Sequence, residues 1–164
     1  MKPMKTTLIV VGLAILPFAG CTSKPATPSV NQQAALNGTL PYNPLQWKII
    51  TSSLNRRDST MSTLYGNDIA VKYARSNPDH NYPTGAVLSL VTWAQRDDPH
   101  WFGAKIPATV KSVEFLTVAT SPDQPTYTYE NYQGSPLKKI DMPDTSAVNA
   151  RVDHLLSQRA AVMP

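Results

Sequence analysis

The chain has a single cysteine, Cys21, and it closes the run Leu16-Pro17-Phe18-Ala19-Gly20-Cys21. One thiol rules out an internal disulfide, a multi-cysteine metal centre and any prosthetic group held by paired thiols within this sequence. The fold must therefore rest on packing, hydrogen bonds and ion pairs.

The residues before Cys21 fall into three zones. Lys2 and Lys5 give a positive start, Leu8 to Leu16 an unbroken apolar stretch, and Phe18-Ala19-Gly20 a small-residue approach to a cut. An apolar stretch of that length spans only about 14 Å as a helix, against roughly 30 Å of bilayer hydrocarbon. Residues 1–20 thus read as a signal peptide and not as a membrane span.

The end of that segment resembles a lipobox, the site of lipoprotein processing. Ala19, Gly20 and Cys21 carry the resemblance, and Phe18 stands where an aliphatic residue is usual. The resemblance implies lipidation of Cys21, with a diacylglycerol on sulfur and a fatty acid such as palmitate on the new amino terminus. Two or three chains hold a protein on a bilayer stably, whereas one gives only marginal binding. Thr22, where an Asp would retain the protein at the inner membrane, implies an outer-membrane anchor with the domain facing the periplasm. Secretion with a free thiol is the alternative.

The part that follows is long enough for one domain. The leader carries Lys2 and Lys5 and no acid, so it supplies half of the formal charge of +4. Arg56-Arg57 and Lys138-Lys139 are isolated basic pairs without a stripe between them, which argues against nucleic acid as a partner. Residues 21–40 have little charge, two prolines and few large apolar groups, and read as a flexible tether reaching at most about 60 Å.

The domain is expected from Pro41. Residues 45–55 (LQWKIITSSLN) read as a strand, and 59–66 (STMSTLYG) as a second strand or the approach to a helix. Asn67 is an N-cap candidate for a helix with Asp68 in its first turn and Ile69, Ala70, Tyr73 and Ala74 on one face, closed by Pro78. Residues 82–95 (YPTGAVLSLVTWAQ) are apolar at both parities and predict a strand buried on both sides. Two further strands are expected over 109–120 and 126–132, with Pro99, Pro107, Pro122 and Pro125 in the loops or at strand ends. Residues 143–164 predict an amphipathic helix capped by Asp144, with Val148, Val152, Leu155 and Leu156 as its stripe and Arg159 in its last turn.

Three of these blocks, the Gly-Asn helix start, the Tyr-Pro-x-Gly strand entry and the Glu-Phe strand (Glu114-Phe115), resemble the cytochrome P460 family in order and spacing. The resemblance covers about residues 45–137 within a domain taken as 41–142. It implies an α+β domain, usually a homodimer, whose antiparallel sheet and flanking helices enclose a c-type haem. Family members oxidise hydroxylamine or bind nitric oxide and related gases.

Covalent haem of that type needs Cys-x-x-Cys followed by His, and no cysteine follows Cys21. The family's haem-linked lysine is also missing from the strand after Gly85. These absences lean away from an enzyme, and neither catalytic nor metal residues are assigned. No cofactor is expected, the alternative being haem held non-covalently by His80, His100 or His154, of which His154 sits on the terminal helix. Asp97-Asp98 with His100 matches no ligand spacing and reads as a turn around Pro99.

Three readings follow. The first is a lipid-anchored envelope protein whose haem-free domain binds a small apolar ligand or a protein partner, with Tyr65, Tyr73, Trp93 and Phe115 as pocket-lining or core aromatics. The second is a non-covalent haem protein with redox or gas-binding activity. The third is a structural envelope lipoprotein whose terminal helix docks a partner through Leu155 and Leu156.

Overall fold

The computed structural model describes residues 30–76, 79, 81–120 and 126–161. The segment read as a signal peptide, Cys21 and the first part of the tether lie outside the described residues, as do Pro78, His80, Pro122 and Pro125. No helix among the described residues is long and apolar enough to cross a membrane.

Strands β1 (Lys48–Asn55), β2 (Thr60–Gly66), β3 (Val87–Asp97), β4 (Lys105–Ala119), β5 (Thr126–Gln133) and β6 (Lys138–Ile140) form one antiparallel sheet in chain order. Helix α1 (Asp68–Ser76) links β2 to β3, and α2 (Thr145–Leu156) follows β6. The class is α+β with helices flanking an antiparallel sheet, and residues 60–66 resolve as a strand. Central β3 is buried on both faces from Val87 to Val91, as its apolar run predicts.

The residues that carry the family resemblance prove to be joints of the fold. A Cβ on Gly66 would come within 2.8 Å of Ile50 Cδ1 and 3.0 Å of Ala70 Cβ, so glycine lets α1 close on β1. Asn67 Oδ1 accepts from Ala70 N at 3.0 Å and Val87 N at 3.2 Å, while its Nδ2 donates to Gly85 O at 2.8 Å. One side chain thus caps α1 and ties it to the start of β3. On the helix itself Ala70, Tyr73 and Ala74 pack on the core as expected, with Val71 buried beside them, and Ile69 alone of the expected face is exposed.

Alternation along the strands gives the sheet two apolar faces. On the helix face Ile50, Leu64, Leu88, Leu90, Leu116 and Val118 pack with α1 and with Val152, Leu155 and Leu156 of α2. On the opposite face Val91, Trp93, Val113, Phe115, Tyr65 and Tyr132 form a second core.

That second core is covered by the chain's own residues 31–40, which corrects the tether expected over 21–40. Ala34, Leu36 and Leu40 pack against it, and Trp93 Nε1 donates to Ala34 O at 3.0 Å. Asn31 Nδ2 donates to Pro107 O at 2.6 Å. Leu137 N donates to Asn37 O at 2.6 Å beside a bridge between Gly38 and Leu137. Gly38 has φ 145°, and a Cβ there would lie 2.4 Å from Leu137 O, so the close approach requires glycine. A strap built from small apolar side chains and backbone bonds has the composition of a linker, which is why it reads as one.

The terminal helix is shorter than residues 143–164. Asp144 caps it, its side chain accepting from Ser146 N at 2.9 Å. Ser157 Oγ and Gln158 Nε2 both donate to His154 O, at 2.9 and 3.2 Å, and end it. Arg159 therefore lies beyond the last turn, and Ala161 N donates back to Ile50 O at 2.8 Å on β1. With Leu155 fully buried and Leu156 nearly so, the apolar stripe faces its own sheet. Leu155 and Leu156, expected as a docking surface, are thereby taken up by the protein's own core.

Candidate functional site

The helices cover only part of the helix face. Beyond them the same side of the sheet turns polar, and the register explains how. Ser53 pairs with Ser62, Ser62 with Thr92 and Thr92 with Ser112, so four hydroxyl side chains cross four strands in one row. Neighbours in such a row stand about 4.8 Å apart, and Ser62 Oγ and Thr92 Oγ1 share a hydrogen bond of 2.9 Å. The next row toward the core runs Thr51, Leu64, Leu90, Glu114 and Asn131. A bulge at Ile50 brings Ile50 and Thr51 to the same face, one joining the core and the other the groove.

Arg151, His154 and Gln158 form the wall on the α2 side, and Asn55 and Asp58 of the β1–β2 turn close the other end. The cavity measures about 460 Å³. It is a groove floored by hydroxyls.

Its firmest part is Glu114, a carboxylate with only 4 % of its surface exposed. Arg151 grips it with two bonds, Nη2 to Oε1 at 2.7 Å and Nε to Oε2 at 2.9 Å. Tyr129 donates to Oε2 at 2.6 Å. Burial first, and then the hydrogen bond to Glu114, push the Tyr129 hydroxyl well above the usual tyrosine range. Beside the carboxylate on the next strand lies Asn131, whose buried Oδ1 has no hydrogen-bond partner among the described residues. His154 is held below the ordinary histidine range, mainly by burial and then by the neighbouring Arg151 charge, with Glu114 opposing. At neutral pH its imidazole is uncharged, able to donate from one nitrogen and accept at the other.

The sequence-predicted residues do not converge. Tyr65, Trp93 and Phe115 are core residues under the strap, whereas Tyr73 lies on the helix face against Tyr82, ring centroids 5.1 Å apart. His100 sits in the β3–β4 turn, its backbone N–H donating to Asp98 at 2.8 Å. Asp97 pairs with Lys105. That cluster is turn chemistry, and among the described residues no three His, Cys, Asp or Glu side chains group as for a metal ion. Of the three histidines, His154 reaches the groove, and His80 lies outside the described residues.

Glu114 entered the sequence reading only as part of the Glu-Phe block, and Arg151 not at all. The signal was present: Glu114 shares the face of Leu116 and Val118, and Arg151 lies within the stripe from Val148 to Leu155. A charge inside each apolar pattern calls for a partner of opposite sign.

Sheet, strap and flanking helices define an α+β domain with a polar groove on one face. A family model for Cytochrome P460 matches residues 42–149, well over half of the chain, and the chain belongs to that family. No curated protein matches it in sequence.

The groove does not fit the family's haem. A porphyrin needs two apolar walls, yet among the described lining residues Leu64 and Leu90 are the only aliphatic side chains. A hydroxyl row and an ion-paired carboxylate occupy the rest of the floor. Helix α2 carries Ala150-Arg151-Val152-Asp153-His154, the spacing of Cys-x-x-Cys-His with alanine and aspartate at the thiol positions, one residue past the end of the family match. The histidine remains at the groove, and neither covalent attachment nor an apolar slot accompanies it.

Proposed function

We propose that this protein is a lipid-anchored cell-envelope protein of the outer membrane, held through Cys21, whose P460 domain binds a small polar ligand on the periplasmic side. The observation that supports this reading most is the hydroxyl row Ser53-Ser62-Thr92-Ser112 beside Arg151 and His154. Polar side chains at these positions contribute nothing to the core, and a groove that offers many donors and acceptors suits a hydrogen-bonding ligand. Arg151 is neutralised by Glu114, so a neutral polyhydroxy or amide-bearing molecule suits the groove better than a strong anion.

The test is a backbone-amide NMR titration of the protein with a panel of small polyols, amides and carboxylic acids, run beside a titration with haem. Shifts confined to Ser62, Thr92, Ser112 and His154, and lost in Ser62→Phe, are the expected result. A sharp, saturable Soret band that disappears in His154→Ala would overturn the reading in favour of non-covalent haem. So would the absence of any groove shift across the panel.

A further inference from the structure

Among the described residues, two large apolar side chains adjacent in sequence stand exposed together. In the turn between β3 and β4, Trp101 is 73 % exposed and Phe102 is 109 % exposed. The turn that holds them is well tied. Asp98 N donates to Ala104 O at 3.0 Å, Ala104 N to Trp101 O at 3.1 Å, and His100 N to the Asp98 side chain at 2.8 Å. Gly103 takes φ 78° with open space around it, as the reversal demands. Two adjacent aromatics are thus displayed on a tied turn and contribute little burial to the described fold.

Where the chain enters the fold indicates what they meet. The strap begins at Asn31, bonded to Pro107, two residues into β4 from the strand's first residue Lys105 and so at the base of this hairpin. Nine residues, 22–30, separate Asn31 from Cys21, about 35 Å of chain at full extension. If Cys21 is acylated, the domain is leashed by the end of the sheet that carries Trp101 and Phe102. The β1–β2 turn lies at that end too, since Gln95 N donates to Ser59 O at 2.9 Å and Thr60 pairs with Ala94. It brings exposed Arg56 and Arg57, and β3 adds exposed Arg96. Among the described residues these three arginines enter no ion pair. Of the acids nearby, Asp97 is paired with Lys105, Asp58 accepts from Asn55 Nδ2 at 2.7 Å, and Asp98 accepts within its own turn.

We infer that this end of the domain seats on the bilayer, with Trp101 and Phe102 entering the headgroup–acyl boundary and Arg56, Arg57 and Arg96 meeting lipid phosphates. Trp favours that boundary because its ring is apolar and its N–H can still bond to water or phosphate. A covalent anchor raises the local concentration of membrane, so even a shallow aromatic contact would orient the domain. The inference rests on the anchored reading of the preceding section and adds to it a defined face.

The experiment uses the full, acylated chain in vesicles, with and without anionic lipid, and with bromine-labelled acyl chains as quencher. Trp101 emission, taken as the difference between wild type and Trp101→Phe, should shift to shorter wavelength and be quenched, more so with anionic lipid. Wild type that floats with the vesicles while Trp101 keeps its water-exposed emission overturns the inference and leaves the anchor intact. Wild type that fails to float overturns both. A second variant, Phe102→Ser with Trp101 kept, should lose quenching while its near-ultraviolet circular dichroism stays that of wild type. Quenching unchanged in that variant would also overturn the seat, since Phe102 is the most exposed apolar side chain of the tip.

Discussion

The two faces of the sheet are completed by different means. Under the strap, Trp93 and Phe115 are roofed by ten residues with little regular structure of their own, held by Asn31, Gly38 and the carbonyl of Ala34. On the other face two helices cover the apolar rows and stop, leaving the hydroxyl rows open. Full coverage leaves room only for packing. Partial coverage puts a polar floor beside a rigid core, and a binding groove needs that arrangement.

Removing residues 31–40 is the strongest way to break the contrast. A chain whose domain starts at Pro41 loses the packing of Leu36 and Leu40 and orphans the indole N–H of Trp93. Partial burial of two leucines and one half-buried hydrogen bond together suggest a loss of about 3 kcal/mol, readable by urea denaturation. Stability unchanged by the truncation would return these residues to the role of a tether.

The helix face is probed next through Glu114. Glu114→Ala leaves Arg151 beside an apolar floor without its partner. Loss of one member of a buried pair costs up to about 5 kcal/mol, and the partial exposure of Arg151 reduces the expected effect to about 2 kcal/mol. The double variant Glu114→Leu with Arg151→Met should recover most of that loss. If the double variant is no better than the single, the pair does more than fasten α2 to the sheet.

The hydroxyl row should behave in the opposite way. Ser62→Ala or Thr92→Ala should cost no more than about 1 kcal/mol, the worth of the half-exposed hydrogen bond they share, while weakening any ligand found for the groove. A large thermal destabilisation would place these residues in the core and close the contrast between the two faces.

The smallest effect is the pH dependence carried by His154. Its folded pKa lies below the ordinary histidine value because of burial and the Arg151 charge. The unfolded chain therefore takes up the proton first as pH falls. Stability from this group is whole above the ordinary histidine range of about 6.5 and declines below it until the folded group is itself protonated. His154→Gln should flatten that part of the stability–pH curve, and an unchanged slope would assign it to another group.

Strands and helices were legible because apolar alternation and capping residues act locally: Asn67, Asp144 and the run from Val87 each announce their element. The strap was not, because its partners Pro107 and Trp93 lie 76 and 59 residues away from Asn31 and Ala34. Glu114 and Arg151 stand 37 residues apart, and nothing in either segment names the other. The hydroxyl row depends on register, which the turns and the bulge at Ile50 set, so four scattered Ser and Thr residues read as ordinary strand surface. Cys21 was legible as a motif alone, and the proposed anchor rests on it.

The strap also fixes an order of events during synthesis. Its residues are made before any strand of the sheet, yet Gly38 cannot find its seat until Leu137 has been made, nearly a hundred residues later. Contacts so distant in sequence form slowly, so one side of the sheet stays bare until the last strand has arrived. If the chain is exported as proposed, its amino end waits on the far side of the membrane with Ala34, Leu36 and Leu40 uncommitted. The domain can then close only after nearly all of it has crossed, which keeps the chain threadable for as long as transport lasts.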